Sequence, residues 1–249
     1  MTHDIQGAVF DIDGTLLNNM PFHEEAFNTF AAVHGLPQLT PETRKWMDGK
    51  RNRDIFPRLF SRDDMTLEES EALSEQKESL YRELSKGRLS SLAGLDRLLD
   101  LLEARGVRIA FATSAPKANV EHTLAELGLD HRLGLVARSD ELPRGKPFPD
   151  VFLEAARLIE ALPEHCLAFE DAPAGIVAAR AAGMTTIGVS TSYPREILAQ
   201  TDPPPHAVIA DYDQFLSERG AWLTAPPHAA PKDTASARTH SGTEASLSE

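Results

Sequence analysis

The spacing of apolar residues divides the chain into two regions of different character. From about residue 90 to residue 209, short apolar runs, typical of buried parallel strands, alternate with stretches of helical spacing, several of which end at a glycine. Strands are predicted at 8–10, 107–112, 133–136, 166–169, 185–189 and 207–209, and helices at 95–104, 117–127, 150–160 and 173–182. This alternation predicts an α/β fold: a Rossmann-like parallel sheet core with helices on both faces.

The segment between the first strand and residue 88 has apolar residues at helical spacing and no convincing strand pattern. Thr66 and Glu69 form a capping-box pattern at the start of its longest predicted helix. We therefore predict that residues 18–88 form a helical cap inserted into a Rossmann-like catalytic core made of residues 1–17 and 89–224. Residues 225–249 contain few large apolar side chains and are predicted to be a disordered tail.

Composition limits the possible partners and location of the protein. The 249 residues include 38 acidic and 25 basic side chains, and a net charge of −13 argues against binding to nucleic acid. The single cysteine, Cys166, excludes an intrachain disulfide and fits a reducing compartment. No stretch has the length and apolar character of a signal peptide or a membrane span. We expect a monomeric cytoplasmic protein that contacts neither membrane nor nucleic acid.

Side chains suited to catalysis occur in four segments that follow predicted strands, at the edge where open α/β sheets bind ligands. Taken singly, three of these segments have ordinary explanations: aspartates that cap a turn, hydroxyls that cap a helix, and a solvated lysine. Two adjacent acids directly after a buried strand are less ordinary, because such charges need a counter-ion. The side chains are Asp11 and Asp13, Thr113 and Ser114, Lys146, and Glu170 and Asp171.

In this order, the segments resemble the four motifs of the haloacid dehalogenase superfamily of aspartyl-phosphate phosphotransferases. The matching stretches are D-I-D-G-T at 11–15, T-S at 113–114, G-K-P-F-P-D at 145–150 and E-D at 170–171. The resemblance covers roughly residues 4–222 and is greatest to the subfamily with a helical cap after the first motif. That group includes β-phosphoglucomutase and phosphatases of the sugar-phosphate and phosphoglycolate types. The resemblance implies a Rossmann-like core and a phosphoaspartate intermediate.

The resemblance also implies a role for each motif residue. Asp11 is expected to be the nucleophile, and Asp13 the general acid and then the general base. Thr113 and Ser114 are expected to bind the phosphoryl oxygens, and the Lys146 ammonium to offset the negative charge around them.

A magnesium site is implied at the same edge. Asp11 and Asp171 are expected to bind Mg²⁺ through their carboxylates, Asp13 through its main-chain carbonyl, and Glu170 directly or through water. Such oxygen ligands, with a substrate phosphate, are typical of Mg²⁺ sites.

The core motifs do not decide which acceptor receives the phosphoryl group, water or a sugar hydroxyl. His23 and Lys77, at positions that match the mutase, are candidate substrate ligands and support a β-phosphoglucomutase-type phosphomutase. Against it, Asn52 stands where the mutase has a phosphate-binding arginine, and Ala115-Pro116 replaces its Ser-Lys pair. The favoured hypothesis is therefore a Mg²⁺-dependent phosphatase for a small phosphorylated metabolite, a sugar phosphate above all.

Two further hypotheses concern the basic cluster and a non-enzymatic role. Lys50, Arg51 and Arg53 form a local basic cluster in an acidic protein and are candidates for attracting a substrate phosphate. A phospho-aspartate receiver module also uses an acceptor aspartate, an acidic pair, a hydroxyl and a lysine. It places the acidic pair before the acceptor, whereas here that pair comes last and a helical segment is inserted.

Overall fold

A six-stranded parallel sheet forms the centre of the computed structural model, which describes residues 5–47 and 50–223. Each neighbouring pair of strands is parallel, in the order β3-β2-β1-β4-β5-β6. This arrangement confirms the predicted α/β fold. The strands are β1 (Gly7–Phe10), β2 (Arg108–Thr113), β3 (Val136–Arg138), β4 (Cys166–Glu170), β5 (Thr185–Val189) and β6 (Ala207–Ile209).

The central strand β1 is buried on both faces, which explains its continuous apolar sequence. Ala8 and Phe10 belong to the apolar cluster on one side of the sheet, and Val9 belongs to the cluster on the other side. Alternate residues of a strand point to opposite faces, so both layers are packed by one short run. Phe10 also stacks on Phe169 of β4, with ring centroids 4.6 Å apart.

Helices cover both faces of this sheet. Leucines and aromatic residues of α5, α6 and α10 belong to the cluster that contains Phe10, whereas α7 and α8 supply the cluster that contains Val9. Their bounds are α5 (Leu95–Ala104), α6 (Lys117–Glu126), α7 (Asp150–Leu158), α8 (Pro173–Ala181), α9 (Arg195–Ala199) and α10 (Tyr212–Arg219).

Four helices lie between β1 and α5, where the sequence predicts a helical cap. The long helix α4 begins at the predicted capping box: the Thr66 amide donates to Glu69 Oε2 at 2.8 Å, and the Glu69 amide donates to Thr66 Oγ1 at 3.2 Å. Aromatic residues Phe30 and Phe56 pack α1 against α3, with ring centroids 5.4 Å apart. The four are α1 (Met20–Val33), α2 (Pro41–Met47), α3 (Asn52–Leu59) and α4 (Leu67–Ser85).

Two features of the core differ from the sequence prediction. The strand predicted at 133–136 is wrong for 133–135, which belong to a 3₁₀ helix (Asp130–Leu135). Strand β3 begins only at Val136, which pairs with Phe111. A short apolar run does not distinguish the two conformations, and pairing with β2 decides where the strand begins. Helices α9 and α10 were not predicted, because both are short and lie in a region with few apolar residues.

The predicted tail at 225–249 lies outside the described residues. Among the helices that the structure describes, none combines the length and the apolar character that a bilayer crossing requires.

We predict that Phe10→Ala lowers the free energy of unfolding by about 3–5 kcal/mol, because a buried aromatic side chain at the centre of the sheet is lost. Urea denaturation followed by circular dichroism measures this change. Phe148→Ala is the matched control, since the Phe148 side chain is 46% exposed, and it should change stability by less than about 1 kcal/mol. Equal losses in the two variants would contradict the packing described for β1.

Candidate active site

The catalytic candidates meet at the carboxyl edge of the sheet, facing a cavity of about 570 Å³. Asp11 directly follows β1, Thr113 ends β2, Glu170 ends β4, and Asp171 follows it. Lys146 comes from the segment between β3 and α7. The parallel order of the strands brings these segments together, because all their carboxyl ends lie at one edge. Helices α1 and α4 supply residues on the opposite side of the cavity.

Lys146 joins the first and last motifs through two short ion pairs. Its Nζ lies 2.5 Å from Asp11 Oδ1 and 2.7 Å from Glu170 Oε2, and all three side chains are buried. Burial alone would lower the pKa of Lys146, but the attraction of Asp11 and Glu170 outweighs it and raises the pKa. The lysine therefore stays protonated at any physiological pH.

Three carboxylates cluster around this single ammonium. Asp11, Glu170 and Asp171 each offer one oxygen atom within 4.8 Å of the others. Burial, followed by repulsion from the neighbouring carboxylates, raises the pKa of Asp11 and of Asp171 well above the usual range. Three buried acids with one cation leave an excess of negative charge, and a small divalent cation with oxygen ligands would balance it. The donor set therefore fits Mg²⁺.

Two glycines allow these carboxylates to pack so closely. Gly14 has φ of +78°, and a Cβ atom there would lie 2.0 Å from Asp171 Oδ2. A Cβ on Gly175, in α8, would lie 2.0 Å from Glu170 Cδ. Neither position accepts another residue without displacing the acid beside it.

Hydrogen bonds to neighbouring residues orient both acids after β4. Glu170 Oε1 accepts from the amide of Ala172 at 3.0 Å, while its other oxygen binds Lys146. Asp171 accepts from the hydroxyl of Ser192 and from Thr15 Oγ1, the latter at 3.4 Å. These donors orient the acids toward the cavity, which both of them line.

Asp13 lies in a different electrostatic environment from Asp11. Asn19 Nδ2 donates to Asp13 Oδ1 at 2.6 Å, and His23 Nε2 lies 3.6 Å from the same oxygen. Burial acts to raise the pKa of Asp13, but His23, Asn19 and the charge of Lys77 outweigh it and lower the pKa. The two aspartates of the first motif are thus shifted in opposite directions.

His23 and Lys77, both from the predicted cap, lie beside Asp13. Lys77 Nζ lies 2.9 Å from His23 Nδ1, and the His23 ring stacks on Tyr81 with centroids 3.8 Å apart. An ammonium only donates, so Nδ1 accepts and Nε2 carries the proton of the neutral ring. That Nε2 is buried and has no hydrogen-bond partner among the described residues. It lies 3.6 Å from Asp13 Oδ1.

The hydroxyl motif lies between β2 and the start of α6, and both residues line the cavity. Thr113 is buried, and its Oγ1 accepts from the amide of Ala115 at 3.0 Å. Ser114 Oγ lies 3.4 Å from Ser139 Oγ. Hydroxyls just before a helix N-terminus suit an anionic ligand.

Of the basic cluster, only Lys50 is among the described residues that line the cavity; Arg51 and Arg53 are not. Lys50 Nζ donates to the carbonyl of Trp46 at 2.6 Å. Arg51 pairs with Asp54 at 2.7 Å and reaches the carbonyl of Leu142 at 3.4 Å. The arginines thus lie outside the space that a ligand would occupy, whereas Lys50 borders it.

Several residues of the site were missed in the sequence. Ser192 lies shortly after β5. Because ligands bind at the carboxyl ends of parallel strands, the position of this segment was the available signal. Asn19, Glu78 and Asn119 lie within helices or at their starts, and their sequence context gives no signal of their position.

A family model of haloacid dehalogenase-like hydrolases matches residues 5–183 of this chain. The chain belongs to this family.

Curated relatives of this haloacid dehalogenase-like hydrolase include fructose-1-phosphate phosphatase YqaB of Escherichia coli, 34% identical over 74% of this chain and 95% of its own length. Protein CbbY of Rhodobacter capsulatus is 31% identical over 77% and 88%, respectively. A solved hydrolase of the same family from Entamoeba histolytica superposes with a TM-score of 0.78, at 25% identity over 88% of this chain and 99% of that chain. β-Phosphoglucomutase from Clostridium difficile shares the fold, with a TM-score of 0.74 at 22% identity over 88% and 97%.

The raised pKa values of Asp11 and Asp171 predict a pH dependence of stability in EDTA. The folded protein keeps protons on these acids that the unfolded chain loses near pH 4, so the free energy of unfolding should fall as pH rises from about 4 toward the folded pKa values. Mg²⁺ should reverse the fall, because a cation replaces the protons.

Thermal and urea unfolding between pH 4 and pH 9 measures this effect. Asp171→Asn should reduce the slope, since the amide carries no charge and no longer repels Asp11. Asp63→Asn, at an exposed position, is the control and should retain the wild-type slope. A slope that is unchanged in Asp171→Asn would contradict the electrostatic description of the carboxylate cluster.

Proposed function

We propose that this phosphoric monoester hydrolase is Mg²⁺-dependent and removes phosphate from a small phosphorylated metabolite, a sugar phosphate, through an aspartyl-phosphate on Asp11. The observation that carries the proposal is the position of Lys146, 2.5 Å from Asp11 and 2.7 Å from Glu170 at one end of the cavity. Relatives named for hexitol and fructose-1-phosphate support the substrate class.

The carboxylates of Asp11, Asp171 and Glu170 would bind Mg²⁺, with the main-chain carbonyl of Asp13 as a further oxygen. When bound, the ion neutralises the charge of the phosphoryl oxygens and orients the group toward Asp11. Lys146 supplies a second fixed positive charge beside the nucleophile. Thr113 and Ser114 supply hydroxyl donors to the phosphoryl oxygens.

The reaction proceeds in two displacements at phosphorus. In the first, a carboxylate oxygen of Asp11 bonds to phosphorus, the bond to the sugar oxygen breaks, and Asp13 gives that oxygen a proton. In the second, Asp13 takes a proton from water, the water oxygen bonds to phosphorus, and the bond to Asp11 breaks. Inorganic phosphate leaves, Asp11 is again a carboxylate, and Asp13 again carries the proton with which the first step began. Asp13 releases that proton to solvent when the site empties and takes one up when the next substrate binds.

The environment of Asp13 suits its part in this cycle. Its lowered pKa makes it a carboxylate in the free enzyme, which is the form that a base requires. A bound phosphate dianion adds negative charge next to Asp13 and raises its proton affinity, which favours the acid form for the first step. Asn19 and His23 position the side chain in both steps.

A phosphomutase is the second candidate, favoured by the contact between His23 and Lys77 beside Asp13. Against it, Asn52 donates to Ser74 Oγ and Glu78 Oε1, both at 2.7 Å, so it makes no cationic site for a second phosphate. An assay for conversion of β-glucose 1-phosphate to glucose 6-phosphate separates the two. Isomerisation without phosphate release would establish the mutase instead.

Asp11→Asn should lower kcat by at least about 10⁴-fold, because an amide oxygen is a poor nucleophile toward phosphorus. The measurement is phosphate release from p-nitrophenyl phosphate with Mg²⁺, with thermal unfolding as a check of folding. Asp63→Asn, an exposed aspartate, should retain the wild-type rate. Turnover retained in Asp11→Asn would remove Asp11 as the nucleophile.

Asp13→Asn should lower kcat by about 10²–10⁴-fold, because both proton transfers lose their catalyst. Rapid-quench experiments should show that phosphoenzyme forms and decays slowly. EDTA should abolish the phosphatase activity of the wild-type enzyme, and added Mg²⁺ should restore that activity. Formation and decay of phosphoenzyme at wild-type rates in Asp13→Asn would contradict its role.

A further inference from the structure

A buried carboxylate lies on the cap side of the cavity, apart from the cluster at the sheet edge. Glu78 of α4 is 3% exposed, and its neighbour Lys77 is 2% exposed. Both line the cavity together with Asn52 and Asn119. The reaction proposed above assigns Glu78 no part.

Four hydrogen bonds engage both oxygens of Glu78. Oε1 accepts from Asn52 Nδ2 at 2.7 Å and from Lys77 Nζ at 3.0 Å; Oε2 accepts from Asn119 Nδ2 at 2.6 Å and from Lys77 Nζ at 3.1 Å. Burial acts to raise the pKa of Glu78, but the charge of Lys77, the neighbouring His23 and the hydrogen bond from Asn52 outweigh it and lower the pKa. Glu78 is therefore an anion inside the cavity wall at neutral pH.

This anion removes Lys77 from the cations available to a ligand. The Lys77 ammonium contacts His23 Nδ1 and both oxygens of Glu78, so its donors and its charge are already matched. Of the other lysines in the described cavity wall, Lys146 is paired with Asp11 and Glu170, whereas Lys50 donates to the uncharged carbonyl of Trp46 at the border of the cavity. No arginine lines this part of the described structure.

The same wall is suited to hydroxyl groups. The amide nitrogen of Asn52 donates to Ser74 and Glu78, which leaves its oxygen as an acceptor for a ligand hydroxyl. Apolar side chains beside it, Phe27 and Ile55, offer surface to the C–H face of a sugar or polyol. A second phosphate beside Glu78 would meet a carboxylate whose cation, Lys77, is already paired with it.

We infer that Glu78, positioned by Asn52 and Asn119, is a specificity residue that selects an uncharged polyhydroxy leaving group and rejects substrates with a second anionic group. This inference rests on the proposed function and narrows its substrate class. It concerns the leaving group, since the side-chain hydrogen bonds of Glu78 come from Lys77, Asn52 and Asn119, to which the proposed phosphoryl transfer assigns no part.

A matched pair of substrates tests the inference: fructose 1-phosphate and fructose 1,6-bisphosphate, which differ only in a second phosphate. For the wild-type enzyme, kcat/KM for phosphate release from carbon 1 should be at least about tenfold higher with the monophosphate, because a low-dielectric wall strengthens charge repulsion. Release from carbon 1 is followed by the appearance of fructose or fructose 6-phosphate. Equal values would overturn the inference while leaving the phosphatase intact.

Glu78→Gln should reduce the preference at least about tenfold, mainly through a lower KM for the bisphosphate, because Lys77 then has an uncompensated charge. Glu83→Gln, an exposed acid on the same helix, is the matched control and should keep the wild-type preference. An unchanged preference in folded Glu78→Gln would overturn the inference.

Glu78→Asp keeps the negative charge on a shorter side chain. This variant tests the inference if Glu78→Gln does not fold. It should keep the preference within about threefold of wild type, while KM for the monophosphate rises, because aspartate cannot reach both asparagines. Loss of the preference in Glu78→Asp would contradict a role for the charge. If the wild-type enzyme hydrolyses neither of the two sugar phosphates nor p-nitrophenyl phosphate, the proposed function is overturned, and the inference with it.

Discussion

The ion pairs of Lys146 are the constraint on which the rest of the site depends. A buried ammonium is costly unless it is paired, and here Asp11 and Glu170 pair it from two different strands, at 2.5 and 2.7 Å. Those strands, β1 and β4, are neighbours in the sheet, so their carboxyl ends stay together. Lys146 thereby attaches the segment after β3 to the centre of the sheet and fixes the side chain of Asp11 in one position. The remaining negative charge, on Asp171 above all, is what makes the edge suitable for a divalent cation.

Close packing at this edge depends on backbone as much as on charge. Gly14 and Gly175 leave the space that Asp171 and Glu170 occupy. A Cβ atom at either glycine would lie 2.0 Å from an atom of the acidic side chain beside it. The glycine of the D-G-T sequence thus makes room for a carboxylate that follows the neighbouring strand β4, and Gly175 of α8 makes room for the carboxylate that ends β4. Parallel strands make such an arrangement possible, because four segments far apart in sequence converge on one small volume.

The convergence of the motif residues at one edge could be predicted from the sequence because their positions follow from topology. Once β1, β2 and β4 are parallel, Asp11, Thr113 and Asp171 must lie at the same edge, and a motif in the right order identifies them. Contacts made by the inserted helices follow no such rule. Whether Lys50 or Arg51 lines the cavity depends on the path of the chain just before α3, and the position of Glu78 depends on how α4 packs against α6. The strand predicted at 133–136 failed for a related reason, since pairing with β2 decides where β3 begins.

The contact between α4 and α6 is built mainly from polar groups. Positions 78, 81, 82 and 85 of α4 recur with helical spacing on one face, which meets Asn119, His122 and Thr123 of α6. A single polar contact of this kind contributes only about 0.5–1.5 kcal/mol, because water replaces each partner when the contact breaks. An apolar contact of the same area would expose hydrocarbon on separation. Separation of α4 from α6 should therefore cost less than separation of an apolar contact of the same area. Glu78 and Asn119, which take part in this contact, also line the cavity.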